Sequence, residues 1–196
     1  MQFGNNLIGI PSNLPDTNIG ISFPNVDENL VAIQGEGNAC AWDANATAWV
    51  GSLTNIDPLK GYWFVTAEDL NLTLNGSFMP NPTYSLHYGG NLISYPGHNS
   101  MEVGEAIPSE LYTSGKLYAI IGEGIACQYF SEPHNTWMGS LSRLEPGKGY
   151  WFLANDASNF QFNLETVAGC TNIEYGTEAG CTGAGYDWIQ LLGPGS

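Results

Sequence analysis

Pro146-Gly147-Lys148-Gly149-Tyr150-Trp151-Phe152 restates Pro58-Leu59-Lys60-Gly61-Tyr62-Trp63-Phe64 after 88 residues. Working outward, Trp49-Val50-Gly51-Ser52-Leu53 returns as Trp137-Met138-Gly139-Ser140-Leu141, again at 88. Gly35-Glu36-Gly37-Asn38-Ala39-Cys40 returns as Gly122-Glu123-Gly124-Ile125-Ala126-Cys127 at 87, and Phe3-Gly4-Asn5-Asn6-Leu7-Ile8-Gly9 as Tyr88-Gly89-Gly90-Asn91-Leu92-Ile93-Ser94 at 85. Four blocks in one order, with the offset growing only between blocks where loops tolerate insertion, identify a tandem duplication. The first copy spans residues 1–79 and the second 84–164, joined by a short stiff Met79-Pro80-Asn81-Pro82-Thr83 linker. A Cys- and Gly-rich tail, 165–196, follows.

Local patterns inside the copies are those of short strands. In the second copy, apolar or alternating runs at 91–95, 116–121, 126–130, 136–141, 149–153 and 159–164 are separated by Ser-Glu-Pro, Glu-Pro-Gly and Asn-Asp turns. Phe160 and Phe162 alternate with Gln161 and Asn163, as in a half-buried strand. Residues 100–107 carry helical spacing, with Pro108 as the expected terminator; the matching segment near residues 18–25 is interrupted by Gly20 and Pro24. The expected fold class is mainly β: two homologous small β-sandwich or barrel modules in tandem, each with at most one short helix, plus a C-terminal tail.

Composition narrows the function. The 196 residues hold 4 Lys plus Arg against 19 Asp plus Glu, for a net charge of −15. Such a chain cannot neutralise a row of phosphates, which argues against nucleic-acid binding, and anionic membrane surfaces are disfavoured for the same reason. The start, Met1-Gln2-Phe3-Gly4-Asn5-Asn6, lacks the basic region and apolar run of an export signal. The expectation is a trimmed product or a protein assembled inside a cell without export. The sequons at Asn45, Asn71 and Asn75 then read as chance in an Asn-rich chain.

The combination Asn-Leu-Ile-Ser, Gly-Glu-Gly-x-Ala, Trp-x-Gly-Ser-Leu and Gly-Lys-Gly-Tyr-Trp-Phe resembles a β-repeat of marine phage (cyanophage-like) structural proteins, over residues 3–164. Looser relatives of the pattern occur in bacterial surface proteins. The resemblance implies a module of virion appendages or surface proteins and carries no catalytic residues to transfer. It makes a non-enzymatic exterior virion protein (a decoration, fibre or tail-appendage subunit) the leading expectation, synthesised in the host cytoplasm. Its partners would be other virion proteins and copies of itself, with no nucleic acid, membrane or cofactor. A carbohydrate- or surface-binding adhesion module, extracellular or on a cell surface with a glycan as ligand, is the alternative; a glycosidase or lyase ranks last.

Residue by residue, two roles compete for the repeated aromatics Trp49, Tyr62, Trp63, Trp137, Tyr150 and Trp151. Exposed, they form a sugar-stacking platform; buried, they anchor the core, and burial is the favoured reading for Trp63 and Trp151. Lys60 and Lys148 are half of the chain's positive charge, and their retention suggests ion pairs with Glu36 and Glu123 of the same copies. A solvated loop lysine is the alternative. Gly-Glu-Gly lacks the spacing of a phosphate loop and reads as a turn or bulge. The two glutamates lie in separate copies, and nothing in the sequence sets the spacing that glycosidase carboxylates need.

His87, His98 and His134 match no zinc pattern and have no equivalents in the first copy, and Asp43-Ala44-Asn45 lacks the rest of a calcium loop, so no metal site is expected. Cys40 and Cys127 read as buried free thiols, whereas Cys170 and Cys181 are the candidate disulfide, worth roughly 2–3 kcal/mol if unstrained. Tyr186, Trp188, Ile189, Leu191 and Leu192 in the tail either complete the second core or dock on a neighbour. Docking is preferred because both copies look complete without them.

Overall fold

A computed structural model describes residues 1–23, 29–164, 169–170 and 188–189. The first module runs β1 (Gly4–Gly9), β2 (Ser12–Asn13), α1 (Ile19–Ser22), β3 (Leu30–Gln34), β4 (Ala39–Asp43), β5 (Ala48–Gly51), β6 (Gly61–Thr66) and β7 (Ser77–Phe78). The second runs β8 (Tyr84–Leu86), β9 (Gly89–Ser94), β10 (Met101–Glu102), α2 (Val103–Ala106), α3 (Ser109–Thr113), β11 (Leu117–Ile121), β12 (Ala126–Phe130), β13 (Thr136–Gly139), β14 (Arg143–Leu144), β15 (Gly149–Ala154) and β16 (Ser158–Phe160). In the tail, β17 (Gly169–Cys170) pairs with β18 (Trp188–Ile189).

The chain is mainly β, and its two main antiparallel sheets have one topology. Strand order is β1-β6-β3-β4-β5 in the first and β9-β15-β11-β12-β13 in the second. Even the irregularities repeat: the register shift between Leu30 and Ala32 against β6 recurs between Leu117 and Ala119 against β15. One difference concerns Pro108. Expected only to end a helical turn, it closes α2 and also serves as N-cap of α3, where its extended backbone (φ −53°, ψ 128°) has the non-helical conformation an N-cap takes. The second module therefore has two short helices rather than one.

Strand alternation decides the core. Within β6, Tyr62, Phe64 and Thr66 are buried while Trp63 and Val65 are half-buried, and β15 repeats the pattern with Tyr150, Phe152 and Ala154. The buried anchors are therefore Tyr62 and Phe64, and Tyr150 and Phe152; Trp63 and Trp151 sit on the opposite sheet face, which corrects the assignment of those indoles to the core. Around Tyr62 and Phe64 gather Ile10, Ile19, Phe23, Leu30, Ile33, Cys40, Leu53 and Ile56. The second module adds an aromatic cluster in which Phe162 lies 5.2–5.9 Å, centroid to centroid, from Tyr84, Tyr95 and Phe152. Phe160 and Phe162 are buried and Gln161 is exposed, as the alternation requires.

Two retained motifs shape the sheet ends. Gly51 and Gly139 cross so close to the neighbouring strand that a Cβ would stand 2.2 Å from the carbonyl oxygen of Ala39 or Ala126. Ser52 and Ser140 then accept hydrogen bonds from the amides of those same alanines, and Leu53 and Leu141 enter the cores. The hydroxyl of Tyr62 accepts the amide of Asp57 at 2.8 Å, and that of Tyr150 accepts the amide of Glu145 at 2.8 Å, fixing the turn that precedes each strand.

Met1–Phe162 forms one compact unit, so the two modules are packed together rather than strung on a linker. They meet along β1, β6, β9 and β15. At the centre Gly61 and Gly149 touch: a Cβ on Gly61 would stand 3.2 Å from the Gly149 Cα and 3.0 Å from the carbonyl oxygen of Ile93. Reciprocally, a Cβ on Gly149 would stand 3.1 Å from the Gly61 Cα. Gly61→Val should therefore push the modules apart and destabilise the protein by about 1–3 kcal/mol, the usual range for overpacking. Urea denaturation checks this, and an unchanged midpoint would mean the modules do not need this contact.

Candidate functional site

Among the described residues, the charged constellation that both copies share lies at the module interface. Each Gly-Glu-Gly segment is the tip of a hairpin, closed by Gly35 N–H on the Asn38 carbonyl and by Gly122 N–H on that of Ile125, both at 2.8 Å. Gly37 and Gly124 take φ of +76° and +70°, a region open to glycine at little cost, and this leaves the glutamate at the tip. From there each carboxylate reaches the opposite module.

Glu36 Oε2 accepts the backbone N–H of Leu92 at 3.0 Å, and Glu123 Oε2 accepts that of Leu7 at 3.1 Å. Leu7 and Leu92 lie in β1 and β9, which are edge strands with unpaired donors. The neighbouring donors are met in the same reciprocal way. Gly9 N–H binds the Gly147 carbonyl at 3.1 Å, and Ser94 N–H binds that of Leu59 at 3.0 Å; Ile8 bridges Lys148 as Ile93 bridges Lys60. The two modules thus obey an approximate two-fold axis, each sealing the other's sheet edge.

The lysines stand behind the carboxylates. Lys60 Nζ is 3.4 Å from Glu36 Oε2, and Lys148 Nζ is 3.7 Å from Glu123 Oε2. Both pairs are partly exposed, where such contacts contribute about 0–1 kcal/mol. A hydrogen bond from an amide to an ionised carboxylate contributes more, about 1.5–3 kcal/mol. The glutamate-to-amide contact is therefore the stronger element and the lysine a secondary one.

Symmetry fails at His87. Its Nδ1 lies 2.8 Å from the carbonyl oxygen of Tyr88, and its Nε2 contacts Glu36 Oε1. With an acceptor at each nitrogen, only the imidazolium satisfies both, since neutral imidazole carries a single N–H. The Tyr88 carbonyl and the Glu36 carboxylate raise the histidine's pKa. Burial opposes ionisation of Glu36, but the Leu92 amide, His87 and Lys60 outweigh it and lower its pKa. In the first copy the matching position is Gln2.

Asn91 holds the His87 backbone in place. Its Oδ1 accepts the His87 N–H at 2.8 Å while its Nδ2 donates to the His87 carbonyl at 2.9 Å, and Asn6 does the same to Gln2 at 2.8 and 2.8 Å. Both asparagines are buried. A polar residue kept inside an apolar strand in both copies was the available sign of this role.

The other candidates are placed as follows. Tyr62 and Tyr150 are buried with their hydroxyls engaged, so neither can stack on a sugar. Trp63 and Trp151 are half-buried, and so are Trp49 and Trp137. Cys40 and Cys127 are free and buried, and burial pushes the Cys127 thiol up to about 12, which leaves it unreactive at neutral pH. Asp43 Oδ1 accepts the amides of Asn45 and Ala46 at 2.8 and 3.1 Å, an ordinary turn role. Among the described residues no group of three His, Cys, Asp or Glu side chains is placed to hold a metal, and no helix is long and apolar enough to cross a membrane. Cys170, Trp188 and Ile189 lie in the β17–β18 pairing. Cys181, Tyr186, Leu191 and Leu192 lie outside the described residues.

Glu36→Ala and Glu123→Ala should each destabilise by about 1–3 kcal/mol, because a sheet-edge donor loses its acceptor, whereas Lys60→Met should change stability by no more than about 1 kcal/mol. Denaturation midpoints of the three variants decide between them; equal losses would make the ion pair the dominant contact. For the asymmetric site, a raised histidine pKa gives a contribution that is complete below the unfolded-state value and lost as pH rises through the folded one. The lowered Glu36 value gives a contribution present above its unfolded-state value and lost as pH falls through the folded one. NMR titration should find His87 above the ordinary histidine value, and Glu36→Gln should bring it down toward that value. No family model, no curated protein and no solved structure matches this chain.

Proposed function

We propose that this chain is a non-enzymatic structural subunit of a phage particle's exterior: a decoration, fibre or tail-appendage protein built from two paired β-modules. The observation that carries the reading is the use made of the retained charges. Both repeat glutamates reach across to the opposite module and both repeat lysines pair with the glutamate of their own copy, so the groups a hydrolase would use as acid and base are occupied as fasteners. The repeated glycines, tyrosines and serines likewise fix turns and edges.

Net charge supports the exterior location. At −15 the chain is repelled by packaged nucleic acid and stays soluble at high copy number. Its partners in this reading are other virion proteins and copies of itself. Quantitative mass spectrometry of purified particles tests it. The chain should be present at a fixed ratio to the major shell or tail proteins, and its absence from particles would refute the assignment.

A further inference from the structure

The two modules can be compared residue by residue, and one place differs in a way that leaves a site open. In the first module the indoles of Trp42 and Trp49 lie 5.8 Å apart at 68°. At the matching positions Tyr129 and Trp137 lie 5.7 Å apart at 59°. The helices also match, since Ile19 N–H binds the Thr54 carbonyl as Val103 N–H binds that of Ser142, which sets Gly20 opposite Gly104.

What the second module adds is a third ring. Tyr112, from α3, lies 4.6 Å from Tyr129 and 5.5 Å from Trp137, and its hydroxyl reaches the Gly104 carbonyl at 3.5 Å. Among the described residues of the first module, no third ring packs against Trp42 and Trp49. Nine residues, 108–116, join Ile107 to Leu117 and include Tyr112, whereas Phe23 and Leu30 are joined by six, Pro24-Asn25-Val26-Asp27-Glu28-Asn29, with no aromatic among them. Among the described residues, the corresponding place is a groove of about 380 Å³ lined by Ile19, Gly20, Trp42, Thr47, Trp49 and Thr54. That volume falls within the range of ligand pockets. Beside it, α1 exposes Ile21, 60% accessible, where the second module carries Glu105.

We propose that this groove binds a phenolic ring, a tyrosine side chain presented by a partner protein, in the manner of Tyr112 in the second module. The ring would lie against Trp42 and Trp49, in the edge-on and tilted contacts that aromatic quadrupoles favour, with its hydroxyl donating to the Gly20 carbonyl. Ile21 would add apolar contact at the rim. The inference concerns a different place from the glutamate interface and stands whether or not the chain belongs to a virion.

The test uses the full chain and p-cresol, the side-chain analogue of tyrosine, with methyl α-glucopyranoside as comparator. Indole N–H resonances of Trp42, Trp49 and Trp137 are followed by NMR. p-Cresol should shift Trp42 and Trp49 saturably with a dissociation constant on the order of millimolar, as befits so small a fragment, and leave Trp137 unmoved. Tyr112→Ala should open a second site, so that Trp137 responds as well and the stoichiometry rises from one to two. If that variant fails to fold, Trp42→Ala serves instead, and must abolish the saturable shift at Trp49. Three results would overturn the proposal: no saturable shift up to the solubility of p-cresol, an equal response of Trp137 in the wild type, or saturation by the glucoside without saturation by p-cresol.

Discussion

An edge strand has backbone donors with nothing to bind, and in this protein a carboxylate from the other module answers them. The Glu36 contact with Leu92 N–H and the Glu123 contact with Leu7 N–H are the hinge of the architecture. Without an acceptor at those amides, β1 and β9 would be open templates for strand pairing with any neighbour. With it, the two sheets join through polar contacts of defined direction. Glycines at 61 and 149 allow the backbones close enough for the reach of one glutamate side chain.

That constraint also makes sense of the motifs. Gly-Glu-Gly is a hairpin tip that aims a carboxylate. Lys-Gly-Tyr-Trp supplies the counter-charge, the close-approach glycine and a tyrosine that pins the turn behind both. Asn-Leu-Ile supplies the amide that is capped and the asparagine that ties down the preceding segment. A sequence repeat this dense in glycine and charge looks like a ligand site, yet here its chemistry faces inward, to a partner in the same chain.

Much of this was legible in the sequence, and the limits have physical causes. Strand positions followed from alternation and turn residues, and the pairing of Glu36 with Lys60 could be suspected because both copies keep both residues. The dominant partner of Glu36 could not, because a backbone amide leaves no signature in sequence. The facing of Trp63 is not legible because Gly-Tyr-Trp-Phe-Val is apolar at every position after glycine, so period two cannot say which ring faces the core. His87 has no counterpart in the first copy and so carries no repeat signal, although it is one of the residues by which the two halves of the interface differ. Pro108 marks a boundary from both sides, and sequence patterns record only one of them. Cys181 and most of the tail lie outside the described residues.

The imperfect match between Gly9 and Ser94 carries a consequence for self-assembly. These residues occupy equivalent places across the pseudo-dyad, and a Cβ on Gly9 would stand 2.6 Å from the Ser94 Oγ. The interface therefore has room for one side chain, not two. A pairing of two second modules from different chains would bring two serines into that space and clash. A pairing of two first modules would leave it empty and lack the histidine. Only unlike halves fit, so divergence of the copies after duplication disfavours pairing of like modules between crowded neighbours and keeps the first-with-second pairing as the one that closes the interface.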